Sequence, residues 1–121
     1  MLTTPQNTWS LNNTGVGAGT QGQATLAPHP AGLTHVVTGF LVTVAALLGI
    51  AVTEFVYQIL DGSTVIWEGA LTLNGNAGDR DQCAMENLQL AGTPGNQLTI
   101  QFTAGLANVV QRVNLIGYDA Q

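Results

Sequence analysis

Charge is what this sequence has least of. Only 7% of its 121 residues are Asp, Glu, Lys or Arg, against about a quarter in an average soluble domain. Lysine is absent, and Arg80 and Arg112 are the only arginines. Proteins hold nucleic acid largely through clustered cations that release counterions from phosphates, so no nucleic-acid partner is expected. Anionic membrane surfaces are excluded on the same ground. Seven carboxylates leave a formal net charge of -5. The surface must therefore be built from Asn, Gln, Thr, Ser and Gly, which desolvate at lower cost than ammonium groups. Such a surface suits either extensive subunit contact or an ordinary uncharged soluble domain.

Cysteine is also scarce. Cys83 stands alone, so no intrachain disulfide can form. The first residues, MLTTPQNTWSLNN, carry neither a basic patch nor an apolar stretch of the secretory kind. Both features fit intracellular synthesis. Long apolar runs are limited to FLVTVAALLGIAV, 13 residues at positions 40–52. A membrane-spanning helix needs about 20, and no basic residue flanks the run, so a membrane span is excluded.

What is present reads as strands. In NQLTIQFTA, Leu98, Ile100, Phe102 and Ala104 alternate with Gln97, Thr99, Gln101 and Thr103, a period of two that puts one face in a core. In TEFVYQIL, Phe55, Tyr57 and Ile59 alternate with Glu54, Val56, Gln58 and Leu60. Asp61-Gly62 then separates this run from the β-branched and aromatic STVIWEGAL, a strong hairpin signal. HVVTGFLVTV and NVVQRVNLIGY add two Val- and Ile-rich strands, with Gly39 and Gly117 inside them as candidate bulges or close approaches. QCAMENLQL is a weaker strand. With turns at PHPAG, LDGS, NGNAGDRDQ, GTPGN and TAGLAN, about seven or eight short strands and no convincing helix predict an all-β fold. The expected form is a single antiparallel β-sandwich, jelly-roll-like. Residues 1–23, rich in Asn, Thr, Gly and Gln, read as a flexible N-terminal arm, and 24–121 as the sandwich domain.

The apolar run then divides. Its first residues finish one strand and Val52 begins the next, leaving AALLGIA at 45–51 as the connection. Connections run over the surface and are usually polar, yet this one carries Leu47, Leu48 and Ile50. Full burial of each is worth about 1.5–3 kcal/mol, so either the loop folds back over the end of the sandwich or another polypeptide covers it. Subunit contact is the expectation taken here. Trp9 in the arm poses a similar choice: it docks into a groove on a partner or closes the domain's own core.

Chemistry finds little support. His29 lies between prolines in a turn, His35 starts a strand, and neither has metal-ligand spacing with Cys83. Cys83 reads as a small structural hydrophobe. Asp79 and Asp81 flank Arg80 in a glycine-rich loop but lack the twelve-residue calcium pattern. No pair of carboxylates stands out for glycoside hydrolysis. No catalytic residue, metal or cofactor is expected.

In order along nearly the whole chain, these pieces resemble small β-sandwich structural proteins of tailed bacteriophages. The matching residues are Trp9-Ser10, the strand HVVTGFLVT, the hairpin DGSTVIW at 61–67, the turn and strand GTPGNQLTIQF, and Gly117-Tyr118. The resemblance implies a capsid decoration (cement) protein. It would form homotrimers on the outer surface of the virion, made in the host cytoplasm and bound to the major capsid protein, with no enzymatic activity. Two places depart from the family's pattern: the apolar connection at 45–51, polar in such proteins, and the loop LNGNAGDRDQ. A different class of function stays open, a carbohydrate-binding or host-recognition module on a phage tail or head fibre. Tyr57, Trp67 and Tyr118 are the rings it could use, although the strand patterns turn Tyr57 and Trp67 towards the core.

Overall fold

The protein is described here from a computed structural model covering residues 7–13 and 19–121. Nine strands follow one another, with no helix among the described residues: β1 (Asn7–Asn12), β2 (Gln23–Leu26), β3 (Thr34–Ala46), β4 (Thr53–Asp61), β5 (Thr64–Leu73), β6 (Arg80–Met85), β7 (Leu90–Ala91), β8 (Leu98–Phe102) and β9 (Val109–Ala120). One sheet has the order β1-β9-β3-β6, with the short β7 also on β3, and the other has the order β2-β8-β4-β5. Every pairing is antiparallel. Apart from β4–β5 and β6–β7, successive strands cross between the two facing sheets, the connectivity of a jelly roll.

Period-two alternation fixes which residues face inward. On β9, Val109, Val113 and Leu115 are buried, while Arg112 and Ile116 of the alternate set are exposed. Phe40, Val42, Val44 and Ala46 of β3 meet Phe55, Tyr57 and Ile59 of β4 and Leu98, Ile100 and Phe102 of β8 in one core. Thr99 is also buried, facing Thr25 across the β2–β8 pair with hydroxyls 3.1 Å apart. The Asp61-Gly62 hairpin forms as expected: Asp61 pairs with Thr64, and Gly62 takes the positive φ of the tight turn.

Both strand glycines have the structural reasons their positions suggested. The register of β3 against β9 shifts between Val37 and Gly39, a bulge. At Gly117 a Cβ would overlap the Val36 carbonyl oxygen and fall 2.6 Å from Cζ2 of Trp9. The Trp9 ring therefore lies on bare backbone.

Three boundaries differ from the sequence reading. Residues 7–12, read as part of the arm, pair with β9 along their whole length as the edge of the first sheet. Trp9 and Leu11 pack against the core. The alternation Trp9-Ser10-Leu11 is too short to stand out among Asn and Thr. Of the rest of the arm, residues 1–6 and 14–18 lie outside the described residues, Asn13 and Gly19 bond to β9, and Gln23 opens β2. QCAMENLQL is two strands rather than one, broken where Asn87 takes a positive φ and Leu88 N–H donates to the Thr38 carbonyl. β3 continues to Ala46, which is buried, and β4 starts at Thr53, so the connection is residues 47–52.

Gly117→Ala is expected to lower stability by about 1–3 kcal/mol or more, as overpacking in tight sites does. A shifted Trp9 emission should accompany a lower urea midpoint at unchanged slope.

Candidate functional site

The two ends of the sandwich are built differently. At one end, where β3 begins and β9 finishes, four polar groups converge. His35 and Asp119 pair across β3 and β9, and only 3% and 4% of each is exposed. His35 Nδ1 lies against Asp119 Oδ1, and His35 Nε2 is 2.8 Å from the Ala27 carbonyl oxygen. Both ring nitrogens thus face oxygens. Trp9 Nε1 donates to the same Asp119 oxygen at 3.1 Å and meets the His35 ring edge-on. His29 Nδ1 accepts the Ala31 N–H at 3.0 Å, and its Nε2 stands 3.9 Å from Asp119 Oδ2. This network ties β1, the β2–β3 loop, β3 and β9 together. Sequence reasoning found no metal-ligand spacing for either histidine, and the structure gives both rings hydrogen-bonding roles instead. Sequence reasoning had no means of pairing His35 with a residue 84 positions away.

The same end carries a second staple. Asp61, closing β4, accepts the Thr93 N–H at 3.0 Å and the Thr93 hydroxyl at 2.6 Å. Partial burial alone would raise the Asp61 carboxyl, but the Thr93 and Asn96 bonds outweigh it and hold it below its ordinary 3.8.

In the core, the Tyr57 hydroxyl lies over Gly69, where any Cβ would strike it. Burial, with the Cys83 thiol beside it, pushes the phenol up to about 12. Nearby Trp67 favours its ionised form, yet the buried Trp67 Nε1 makes no hydrogen bond of ordinary geometry. The phenol stays neutral at ordinary pH, and the half-buried Cys83 thiol packs against the core. The rings proposed for sugar binding are likewise engaged: Tyr57 is buried, Trp67 packs on the core, and the half-buried Tyr118 donates its hydroxyl to Gln89 at 3.0 Å.

The Asp79–Arg80–Asp81 cluster is a loop anchor. Asp79 accepts the N–H groups of Asn74 and Arg80 at 2.6 and 3.0 Å, and Asp81 those of Thr72 and Gln82 at 3.0 and 2.9 Å. Backbone donors thus occupy all four oxygens.

That loop belongs to the other end, together with residues 47–52 and 103–108. Here the sandwich presents apolar side chains on a pinned backbone. Leu47 N–H donates to Asn108 O, Ile50 N–H to Gly75 O and Gly78 N–H to Ala46 O, each at 2.8 Å. Gln111, fully buried, accepts the Gly22 N–H and donates to the Ala104 carbonyl, both at 2.8 Å. On this frame Leu47, Leu48 and Val52 remain 56, 58 and 70% exposed. They are three of the five large apolar residues exposed among the described residues. Ile50 instead turns inward and packs against the core. Of the four residues singled out from sequence, Leu47, Leu48 and Ile50 therefore share this end, and Trp9 sits at the opposite one. Val52, which sequence reasoning assigned to a strand, joins the exposed patch.

A smaller apolar groove lies along the outer face of the first sheet, lined by Leu41, Ala84, Met85 and the half-exposed Ile116.

Asp119→Ala removes the shared acceptor and is expected to cost about 3–5 kcal/mol, as breaking a buried pair does, with Trp9 reporting in the same urea titration. Asp61 makes an acid-side prediction. Its carboxyl is depressed in the fold, so its contribution is complete above the unfolded value near 4 and is lost as pH falls through the lower folded value. Thermal melts between pH 5 and pH 2 should therefore decline less steeply for Asp61→Asn than for the parent chain.

The chain matches no protein-family model and no curated relative. Among solved structures, the coat protein of Tobacco streak virus in a C2 crystal form aligns over 99% of this chain and 92% of that one, at 13% identity and a TM-score of 0.38. The coat protein dimer of the same virus aligns over the same shares at 12% identity and a TM-score of 0.37. A likeness of that degree says nothing of what this chain binds.

Proposed function

We propose that this protein is a structural component of a virion, a decoration or cement protein that sits on the outer surface of a phage head and stabilises contacts between major capsid proteins. The observation that carries the reading is the connection at 47–52: three exposed apolar side chains held on a hydrogen-bonded loop at one end of a rigid jelly roll. No other described residue at that end covers them. The resemblance of the chain, from Trp9-Ser10 to Gly117-Tyr118, to tailed-phage head proteins points the same way.

The mechanism is binding and needs no chemistry. A partner that engages only the assembled lattice stabilises it in proportion to its affinity. Covering the remaining surface of Leu47, Leu48 and Val52 gains about 3–5 kcal/mol, no more than the low end of what association costs in lost rigid-body freedom. One such patch is too weak by itself. Three patches on a homotrimer act through effective concentration, where each bound contact holds the next in place. The preformed backbone of 47–52 helps, because its ordering is complete before the partner arrives.

Leu48→Asp tests the reading. The side chain is exposed, so the fold and melting temperature are expected to hold within a few degrees, while occupancy on purified heads falls about tenfold or more. Full occupancy of the variant, measured by quantitative gel or cryo-EM density, would overturn it.

A further inference from the structure

Asn74 is the one asparagine of the chain that is followed by glycine. Such a pair can react with itself. The backbone nitrogen of the second residue attacks the side-chain carbonyl carbon of the first, and glycine leaves the approach open because it has no Cβ. The surroundings decide whether the reaction runs, since both groups must be free to meet.

At this pair both are free. Asn74 follows the end of β5 and is exposed. Its backbone N–H donates to Asp79 Oδ2 at 2.6 Å, but its side-chain amide and the Gly75 N–H make no hydrogen bond with a described residue. Asp61-Gly62 is the comparable pair elsewhere in the chain, and it is held fast. Thr93 donates to both Asp61 carboxylate oxygens, and the Gly62 N–H donates to the Gln97 carbonyl at 3.0 Å.

We propose that Asn74 is a site of spontaneous deamidation. The Gly75 nitrogen gives up its proton to solvent and bonds to Asn74 Cγ. The bond from Cγ to Nδ2 breaks, and the departing amide nitrogen takes a proton back and leaves as ammonia. Water then opens the cyclic imide. Opening at the side-chain carbonyl gives aspartate, and opening at the main-chain carbonyl gives isoaspartate, in which the chain runs through the former side chain. No electrons change hands and no cofactor is needed.

The second product acts on the loop beside it. Isoaspartate adds a methylene to the main chain immediately before Gly75. The Gly75 carbonyl accepts the Ile50 N–H at 2.8 Å, and Gly75 lies so close to the 47–52 connection that a Cβ there would fall 2.5 Å from the Ile50 carbonyl oxygen. A longer backbone cannot keep both contacts, so the bond that pins the middle of the connection is lost. This holds whatever covers the connection, and it stands or falls apart from the decoration reading.

Ageing of the native full chain at mildly alkaline pH, followed by peptide mapping with detection of isoaspartate, is the test. Conversion is expected at Asn74 ahead of every other asparagine, with isoaspartate among the products and Asp61 unchanged. Asn74→Gln, whose longer side chain closes a less favourable ring, should slow ammonia release about tenfold or more. Hydrogen exchange at the Ile50 amide should speed up about tenfold or more in the isoaspartate form. It should keep the parent rate in Asn74→Asp, which adds the charge without the methylene. An Asn74 that stays intact, or converts no faster than the other asparagines or Asp61, overturns the proposal, as does unslowed ammonia release in Asn74→Gln. An isoaspartate form in which Ile50 exchanges as slowly as before overturns the link to the connection, and so does an equal loss of protection in Asn74→Asp.

Discussion

The ladder between β3 and β9 is the interaction on which the rest of the molecule depends. These are the two longest strands, and they pair from Thr34 with Ala120 to Ala46 with Val109. Every other strand of the first sheet hangs from one of them: β1 on β9, β6 and β7 on β3. The inward residues of the ladder supply one wall of the core. Its one irregularity, the bulge between Val37 and Gly39, realigns β3 so that His35 meets Asp119 on the inner face beyond it. Packing, the polar network and the placement of both ends follow from that register. A slip of one residue would turn the apolar set outward along both strands.

The ladder also explains why the two ends can differ. At the Asp119 end, neighbouring strands and loops bring donors and acceptors close enough to satisfy one another without water. At the Ala46 end, backbone hydrogen bonds pin the loops while the side chains of 47–52 project past them. One end is internally complete. The other has its backbone satisfied and its apolar surface left over, which is the condition under which a second surface can bind without first ordering the loop. In a chain with so few charges, four of the seven carboxylates, Asp61, Asp79, Asp81 and Asp119, serve the fold itself.

Much of this architecture was legible in the residues because it rests on local periodicity. Phe55, Tyr57 and Ile59 face inward as their alternation requires, and the Asp61-Gly62 turn follows from the backbone that glycine permits. The exposed connection could be located to within two residues, because β-branched strands end where Leu and Gly take over. Less legible were β1, whose three-residue alternation is drowned by Asn and Thr, and Ile50, whose inward turn depends on Gly75 standing opposite. Thr99 gave no sign of burial, since a hydroxyl reads as surface until Thr25 is placed beside it.

By itself the sequence determined that this chain forms strands rather than helices, where the hairpin turns, and that its surface is nearly free of ionic groups. Those properties depend on side-chain period, backbone freedom and composition, which neighbours in sequence settle. Only the tertiary structure decided that His35, Trp9 and Asp119 form one network, that Asp61 meets Thr93, and that Thr99 meets Thr25. Each of these joins residues far apart in the chain, and pairing register, a property of the closed sandwich, brings them together.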